Sequence, residues 1–250
     1  MLATAVRVPH PPLIHYYAKE ADRSGFVRQL FDRTAADYDR VERAMAFGSG
    51  SWYRRRALKR AGLMPGMRVL DIGTGTGLTA REAFGLVGPS GEVTGVDPSA
   101  GMMERARVPP DVRLLGGTAE AIPALAGAAD FVSMGYALRH IADLSAAFGE
   151  FRRVLVPGGR LCLLEITSPK GRPSRWLLKA YMRSVVPFVA RCMAVHRDMP
   201  ELMRYYWDTI EACVDPNLII DALREAGFVD VYRHVELGIF SEYCGHKPLR

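Results

Sequence analysis

Cysteine is scarce in this chain, and where it falls excludes more than its number does. Cys162, Cys192, Cys213 and Cys244 stand far apart without a C-x-x-C pair. That excludes a zinc ribbon and a disulfide framework and leaves the reduced thiols of a cytoplasmic protein as the expectation. No basic end followed by an apolar run opens the sequence, because Pro9, His10, Pro11 and Pro12 interrupt it early, so no export signal is expected. A membrane-spanning helix needs about 20 predominantly apolar residues. The most apolar stretch, residues 176–189, is broken by Lys179 and Arg183, with Arg191 just beyond. Internal repeats and low-complexity tracts are absent. An RNP-like aromatic pattern and a Cys/His finger are also missing, and the net charge of +6 is interleaved rather than blocked, so nucleic acid is not an expected partner.

What is present suits one α/β domain: 250 residues, 49% hydrophobic and 24% charged, enough for a sizeable core. The chain is organised around Val69-Leu70-Asp71-Ile72-Gly73-Thr74-Gly75-Thr76-Gly77, an apolar strand that ends on an acid and enters a glycine-rich turn. A dinucleotide fingerprint counted from Gly73 needs a glycine where Leu78 stands, and this spacing argues against NAD. Asp71 argues the same way, since a carboxylate at the mouth of the turn repels a pyrophosphate. A cofactor with a cationic end and no phosphate fits better. S-adenosylmethionine, with its ammonium and sulfonium, is such a molecule, and Asp71, Gly73, Thr74, Gly75, Thr76 and Gly77 are its candidate cradle.

Residues 1–25 contain prolines and read as irregular. From Phe26 a helical pattern runs through Tyr38, Val41 and Met45 as an N-terminal lid. Phe31, Tyr38 and Met45 share one face, suited to core packing or to closing Tyr38 over the cofactor. The helix at 52–61 carries Arg54, Arg55, Arg56, Lys59 and Arg60, a solvated face or one that meets a membrane. Strands are expected at 67–72, 92–97, 112–115, 130–134 and 160–166, with helices at 76–87, 99–107 and 144–155 between them. Such alternation predicts a largely parallel sheet.

Asp97 closes the second strand beside the first turn, placed to accept both hydroxyls of a ribose. Its competing role is to cap the helix at Pro98, with Ser99 a rival cap. Pro98 and Met102 belong to the same cofactor edge. Thr118, Ala119 and Glu120 form the loop where an adenine edge is read, and Met134 ends the fourth strand, with Gly135 following it on the way to Arg139 and His140. Residues 168–214 break the alternation and read as an insertion capping an apolar substrate pocket, as an interfacial helix, or as a helical pair packed only for stability. A helix at 216–226 and strands at 229–235 and 239–244 close the chain. The expected fold is a Rossmann-like seven-stranded, mostly parallel sheet with helices on both faces, in a single domain over residues 26–250.

These residues resemble a known family. Val69 to Gly77, Asp97, Leu155-Val156-Pro157-Gly158-Gly159-Arg160 and Ala226-Gly227-Phe228 are similar to class I S-adenosylmethionine-dependent methyltransferases. Phe31-Asp32-Arg33-Thr34-Ala35-Ala36-Asp37-Tyr38-Asp39, Trp52, Leu138-Arg139-His140, Gly238-Ile239 and Gly245-His246-Lys247 resemble the quinone-ring C-methyltransferases of menaquinone and ubiquinone biosynthesis. The likeness runs from about Phe26 to Lys247. Three positions depart from it: Leu78 replaces an acid, His140 an asparagine and Thr118 an acidic or amide residue. The resemblance implies methyl transfer to a ring carbon of a polyprenyl quinol, with S-adenosylhomocysteine as the product.

Such a transfer needs acceptor carbon, methyl and sulfur held in line in a dry pocket. It also needs a group that takes a ring hydroxyl's proton or steadies the oxyanion. Arg139 stays charged and is the candidate phenolate stabiliser, unless it pairs with helix C-terminal carbonyls. His140 is the nearest group that titrates near neutrality, unless it is a satisfied structural histidine. Rival readings are a methyltransferase of a soluble aromatic metabolite or phospholipid amine, and a binding protein without turnover. The expected partners are an apolar aromatic or quinol substrate, a peripheral membrane contact and a second copy in a homodimer.

Overall fold

The computed structural model describes residues 8–169, 171–193 and 196–249. The first seven residues of the segment expected to be irregular, and residues 170, 194 and 195 of the insertion, lie outside the described residues. Seven strands form one sheet: β1 (Arg68–Ile72), β2 (Glu92–Asp97), β3 (Arg113–Gly116), β4 (Ala129–Gly135), β5 (Leu155–Ile166), β6 (Val229–Glu236) and β7 (Phe240–His246). Their order is β3-β2-β1-β4-β5-β7-β6. The first five pair in parallel and β7 runs antiparallel to both neighbours. The strand order therefore reverses between β1 and β4, the switch point at which open α/β sheets hold their ligands.

Side-chain alternation decides what each face packs against. From β1, Leu70 and Ile72 enter a core with Phe148 and Phe151 of α5 (Leu144–Val154), while Val69 enters one with Tyr53, Ala57 and Leu58 of α2 (Gly50–Arg60). Helix α3 (Leu78–Val87) starts two residues later than expected because Gly73, Gly75 and Gly77 all take positive φ, which keeps the turn out of the helix. Helix α4 (Ala100–Glu104) is short and is capped by Ser99, whose hydroxyl accepts from the Met102 N–H. Strand β5 begins at Leu155 rather than 160: the chain bulges between Leu155 and Arg160 with Gly158 at φ +78°, and the ladder to β4 shifts register between Ala129 and Phe131, an irregularity that accommodates Pro157.

A third apolar cluster lies outside the sheet. It joins α1 (Arg23–Met45), which starts inside the expected irregular segment, to the insertion: α6 (Arg172–Ala180), a wide π turn at Tyr181–Val185, α7 (Val186–Met193) and α8 (Met199–Ala212). Leu30 and Val41 of α1 meet Met199, Tyr205 and Trp207 of α8 there. Helix α9 (Pro216–Glu225) then returns the chain to β6, with Asp215 capping it through the Asn217 N–H. Among the described residues, no helix is long and apolar enough to cross a membrane.

Candidate active site

A cavity of about 360 Å³ opens at the carboxyl ends of β1, β2 and β4 and is roofed by α1 and α8. Gly73, Thr74, Gly75 and Thr76 of the first turn line it, with Asp97, Pro98 and Met102 beyond β2. Thr118, Ala119 and Glu120 line it after β3, Met134 and Gly135 at the end of β4, and Tyr38 and His140 at the roof and the β4 loop. The structure thus gathers these sequence-selected residues into one hollow.

Three of the selected residues are not on its wall. Asp71 is fully buried and spends its oxygens on Thr74 Oγ1 (2.7 Å) and Ser133 Oγ (2.6 Å), so it shapes the turn from beneath. Gly77 opens α3 at φ +82°, where a Cβ would stand 2.2 Å from Val108 Cγ1; its role is close packing. Arg139, expected to face a phenolate, is sealed off. Its guanidinium pairs with Glu165 of β5, reaches Thr209 Oγ1 at 3.3 Å and lies 5.4 Å over the Tyr206 ring. Its carbonyl accepts from the buried Arg23.

Asp97 is 7% exposed and accepts two backbone N–H groups, from Gly75 and Ser99, each at 2.8 Å. The cap of α4 is Ser99, which leaves Asp97 on the wall. Burial pushes its carboxyl up to about 6, against the pull of those two N–H groups. Two acids of α1 tie the roof to this edge. Asp32 accepts from Ser99 Oγ (2.6 Å) and the Gly101 N–H (2.9 Å), and Asp39 accepts from Thr76 Oγ1 at 2.5 Å. Glu120 braces the β3 loop by accepting from the Ala142 N–H at 2.8 Å.

His140 is surrounded by aromatic rings. Its centroid lies 5.6 Å from that of Tyr205, nearly parallel, and Phe31 and Tyr206 meet it edge-on at 5.3 and 5.9 Å. Both ring nitrogens are buried without a hydrogen-bond partner among the described residues. Burial, then the Arg139 and Arg23 charges, hold its pKa well below the ordinary value. The imidazole is therefore neutral at physiological pH, and its unmet hydrogen-bonding capacity adjoins the cavity.

Residues 17–247 match the family model of the ubiE/COQ5 methyltransferase family. The chain belongs to this family. It is 32% identical over 213 residues to a demethylmenaquinone methyltransferase of Lactococcus lactis, covering 82% of each chain. It is 31% identical over 242 residues to the ubiquinone/menaquinone biosynthesis C-methyltransferase UbiE of Shewanella oneidensis, covering 93% of this chain and 95% of that one. Its fold is shared with a SAM-dependent methyltransferase from Aquifex aeolicus, at 22% identity and a TM-score of 0.56 over 77% of this chain and 88% of the other.

As a member of the ubiE/COQ5 family the chain is an S-adenosylmethionine-dependent methyltransferase, and the hollow fits that donor. A Cβ at Gly73 would lie 2.6 Å from Ala137 Cβ and one at Gly75 3.2 Å from Met102 Cε, so the turn stays bare where a nucleoside needs close approach. Sequence reasoning missed Val27, Phe31, Arg54, Tyr136 and Tyr206 as wall residues. Arg54 carried a usable signal: it lies next to the buried Tyr53 and one turn before Leu58, on the inward edge of a helix read as solvated. Tyr206 carried none, because its placement depends on how the insertion packs on α1.

Proposed function

We propose that the chain methylates a ring carbon of a polyprenylated quinol, a demethylmenaquinol or a benzoquinol precursor of ubiquinone. The observation that carries this reading is His140: a neutral, unpartnered imidazole set among Phe31, Tyr205 and Tyr206 at the wall of the hollow that holds the glycine turn. The printed names of the relatives from Lactococcus lactis and Shewanella oneidensis support it.

Bound in the hollow, the donor supplies an electrophilic methyl on sulfur. Asp97 accepts the ribose hydroxyls, the loop from Thr118 to Glu120 meets the adenine, and the turn from Gly73 to Thr76 lies along the remainder. Phe31 and Tyr206 hold the quinol ring flat and exclude water. His140 accepts a hydrogen bond from a ring hydroxyl and takes its proton as the adjacent ring carbon attacks, when that hydroxyl becomes far more acidic than a resting phenol; its lowered pKa suits this concerted transfer and not a prior deprotonation. With the donor held there, the ring carbon would take the methyl as the carbon–sulfur bond breaks with its pair on sulfur; the proton on the methylated carbon would then pass to solvent while His140 returns its proton to the ring oxygen, restoring the aromatic ring with one proton released.

A peripheral membrane contact belongs to the same proposal, because a polyprenyl tail resides in lipid. It is supported by α6 and α7, where Trp176 is 70% and Phe188 62% exposed beside Leu177. Arg172, Arg183 and Arg191 stand on the same exposed stretch, and no acid occurs between residues 171 and 193. Bases around exposed aromatic and aliphatic side chains suit an anionic lipid surface.

The test is a substrate panel. Purified chain with donor is expected to add methyl mass to short-chain demethylated quinols kept reduced; methylation of phospholipid amines or soluble catechols alone would replace the quinol reading.

A further inference from the structure

Arg54 is unusual among the residues on the cavity wall. It is 3% exposed, yet it gives one bond to an acid, Nη2 to Glu42 Oε1 at 2.7 Å, and its Nε is buried with no partner among the described residues. A guanidinium has five N–H donors, and burying it with donors unmet is costly unless a ligand completes them. The other arginine on the wall, Arg28, is exposed.

The surroundings hold Arg54 in place. Gly50, one turn earlier on α2, leaves room for the pair: a Cβ there would stand 2.6 Å from Arg54 Nη1 and 2.9 Å from Glu42 Oε1. Below the guanidinium, 5.3 Å from its centre, is the ring of Tyr136. Tyr136 adopts φ +62°, a left-handed conformation that costs a bulky residue energy and recurs at ligand sites. The same charge acts on Asp71 at the end of β1: burial raises that carboxyl to about 6, and Ser133, Thr74 and Arg54 restrain the rise. Arg54 therefore stands at the β1 and β4 end of the hollow, whereas Asp97 occupies the β2 end. One end is cationic and the other acidic.

A donor with a nucleoside at one end and an amino acid at the other matches that polarity. We propose that Arg54 receives the α-carboxylate of the donor's amino-acid end, with Tyr136 as the platform that fixes the guanidinium. The inference rests on the donor assignment. It moves recognition of the amino-acid end from Asp71, which is sealed beneath the turn, to a residue open to the cavity.

Calorimetric titration of the full chain with S-adenosylhomocysteine and with 5′-methylthioadenosine, which lacks the amino-acid end, tests it. Loss of a charge-assisted contact in Arg54→Ala is expected to weaken S-adenosylhomocysteine about ten- to a hundredfold. Affinity for 5′-methylthioadenosine should hold, which also shows that the variant is folded, and Arg54→Lys should recover part of the loss. Arg54→Gln, which keeps a donor for Glu42 without the charge, is read in the same way and covers a failure of the alanine variant to fold. Equal weakening of both ligands, unchanged S-adenosylhomocysteine binding, or a selective loss in Arg28→Ala instead would overturn the assignment. A wild-type chain that binds neither ligand would overturn the donor assignment and this role with it.

Discussion

The hydroxyls of Tyr38 on α1 and Tyr206 on α8 meet at 2.7 Å across the roof of the cavity. They join two elements 168 residues apart in sequence, and with Phe31 they form the aromatic ceiling over the site. This contact brings the insertion to the cavity wall.

Tyr38→Phe leaves the Tyr206 hydroxyl buried and unpaired, which costs about 1–3 kcal/mol. Removing both hydroxyls should cost less than the sum of the single changes. Urea unfolding of the two single variants and the double variant checks this; strictly additive losses would show that the hydroxyls do not act as a pair.

Arg139 is expected to govern stability rather than chemistry. Arg139→Ala strands Glu165, which is 1% exposed, and breaking a buried pair costs about 3–5 kcal/mol. Replacing both with apolar residues, Arg139→Met with Glu165→Leu, should restore much of the stability together with turnover. A double variant that is stable yet inactive would return Arg139 to the mechanism.

Cofactor affinity should fall in acid through Asp97. Burial pushes its carboxyl up to about 6, and in the role proposed for it, acceptor to the ribose hydroxyls, it acts in the ionised form. Binding therefore expels a proton below that pH and is unaffected well above it. S-adenosylhomocysteine affinity should be flat from pH 8 to 7 and decline toward about tenfold per unit below pH 6. In Asp97→Asn the affinity should be low throughout and that decline absent. An unchanged decline in the variant would move the titration to another group.

The α6 and α7 face should bind vesicles. Co-sedimentation is expected with anionic vesicles and weak with neutral ones. Leu177→Asp with Phe188→Asp should abolish it while methylation of a short-chain quinol continues. Absence of binding contradicts the membrane contact, and equal binding to both vesicle types contradicts the part given to Arg172, Arg183 and Arg191.

The sheet was largely legible in the sequence because its signals are local. Short apolar runs mark β1 and β2, the acids Asp71 and Asp97 stand at or near their carboxyl ends, and the spaced glycines forecast the turn. The two arginines were not legible. Arg139 is made structural by Glu165, 26 residues on, and by Thr209, 70 residues on. Arg54 is turned inward by the packing of Tyr53 and Leu58 beneath α2. Side-chain pattern gives the face of a helix, but which arginine finds a carboxylate is decided by contacts between distant elements. His140 is intermediate: its place after β4 was readable, whereas its missing partners follow from the aromatic rings that α1 and α8 bring around it.

The most direct test of the account is the position of the transferred methyl. Donor labelled with carbon-13 in its methyl group, given to the chain with a reduced short-chain demethylated quinol, should yield a product whose NMR signal is that of a methyl on a ring carbon. His140→Ala should slow this transfer while S-adenosylhomocysteine binding persists. A label found on oxygen or nitrogen, or full transfer by His140→Ala, would contradict the account.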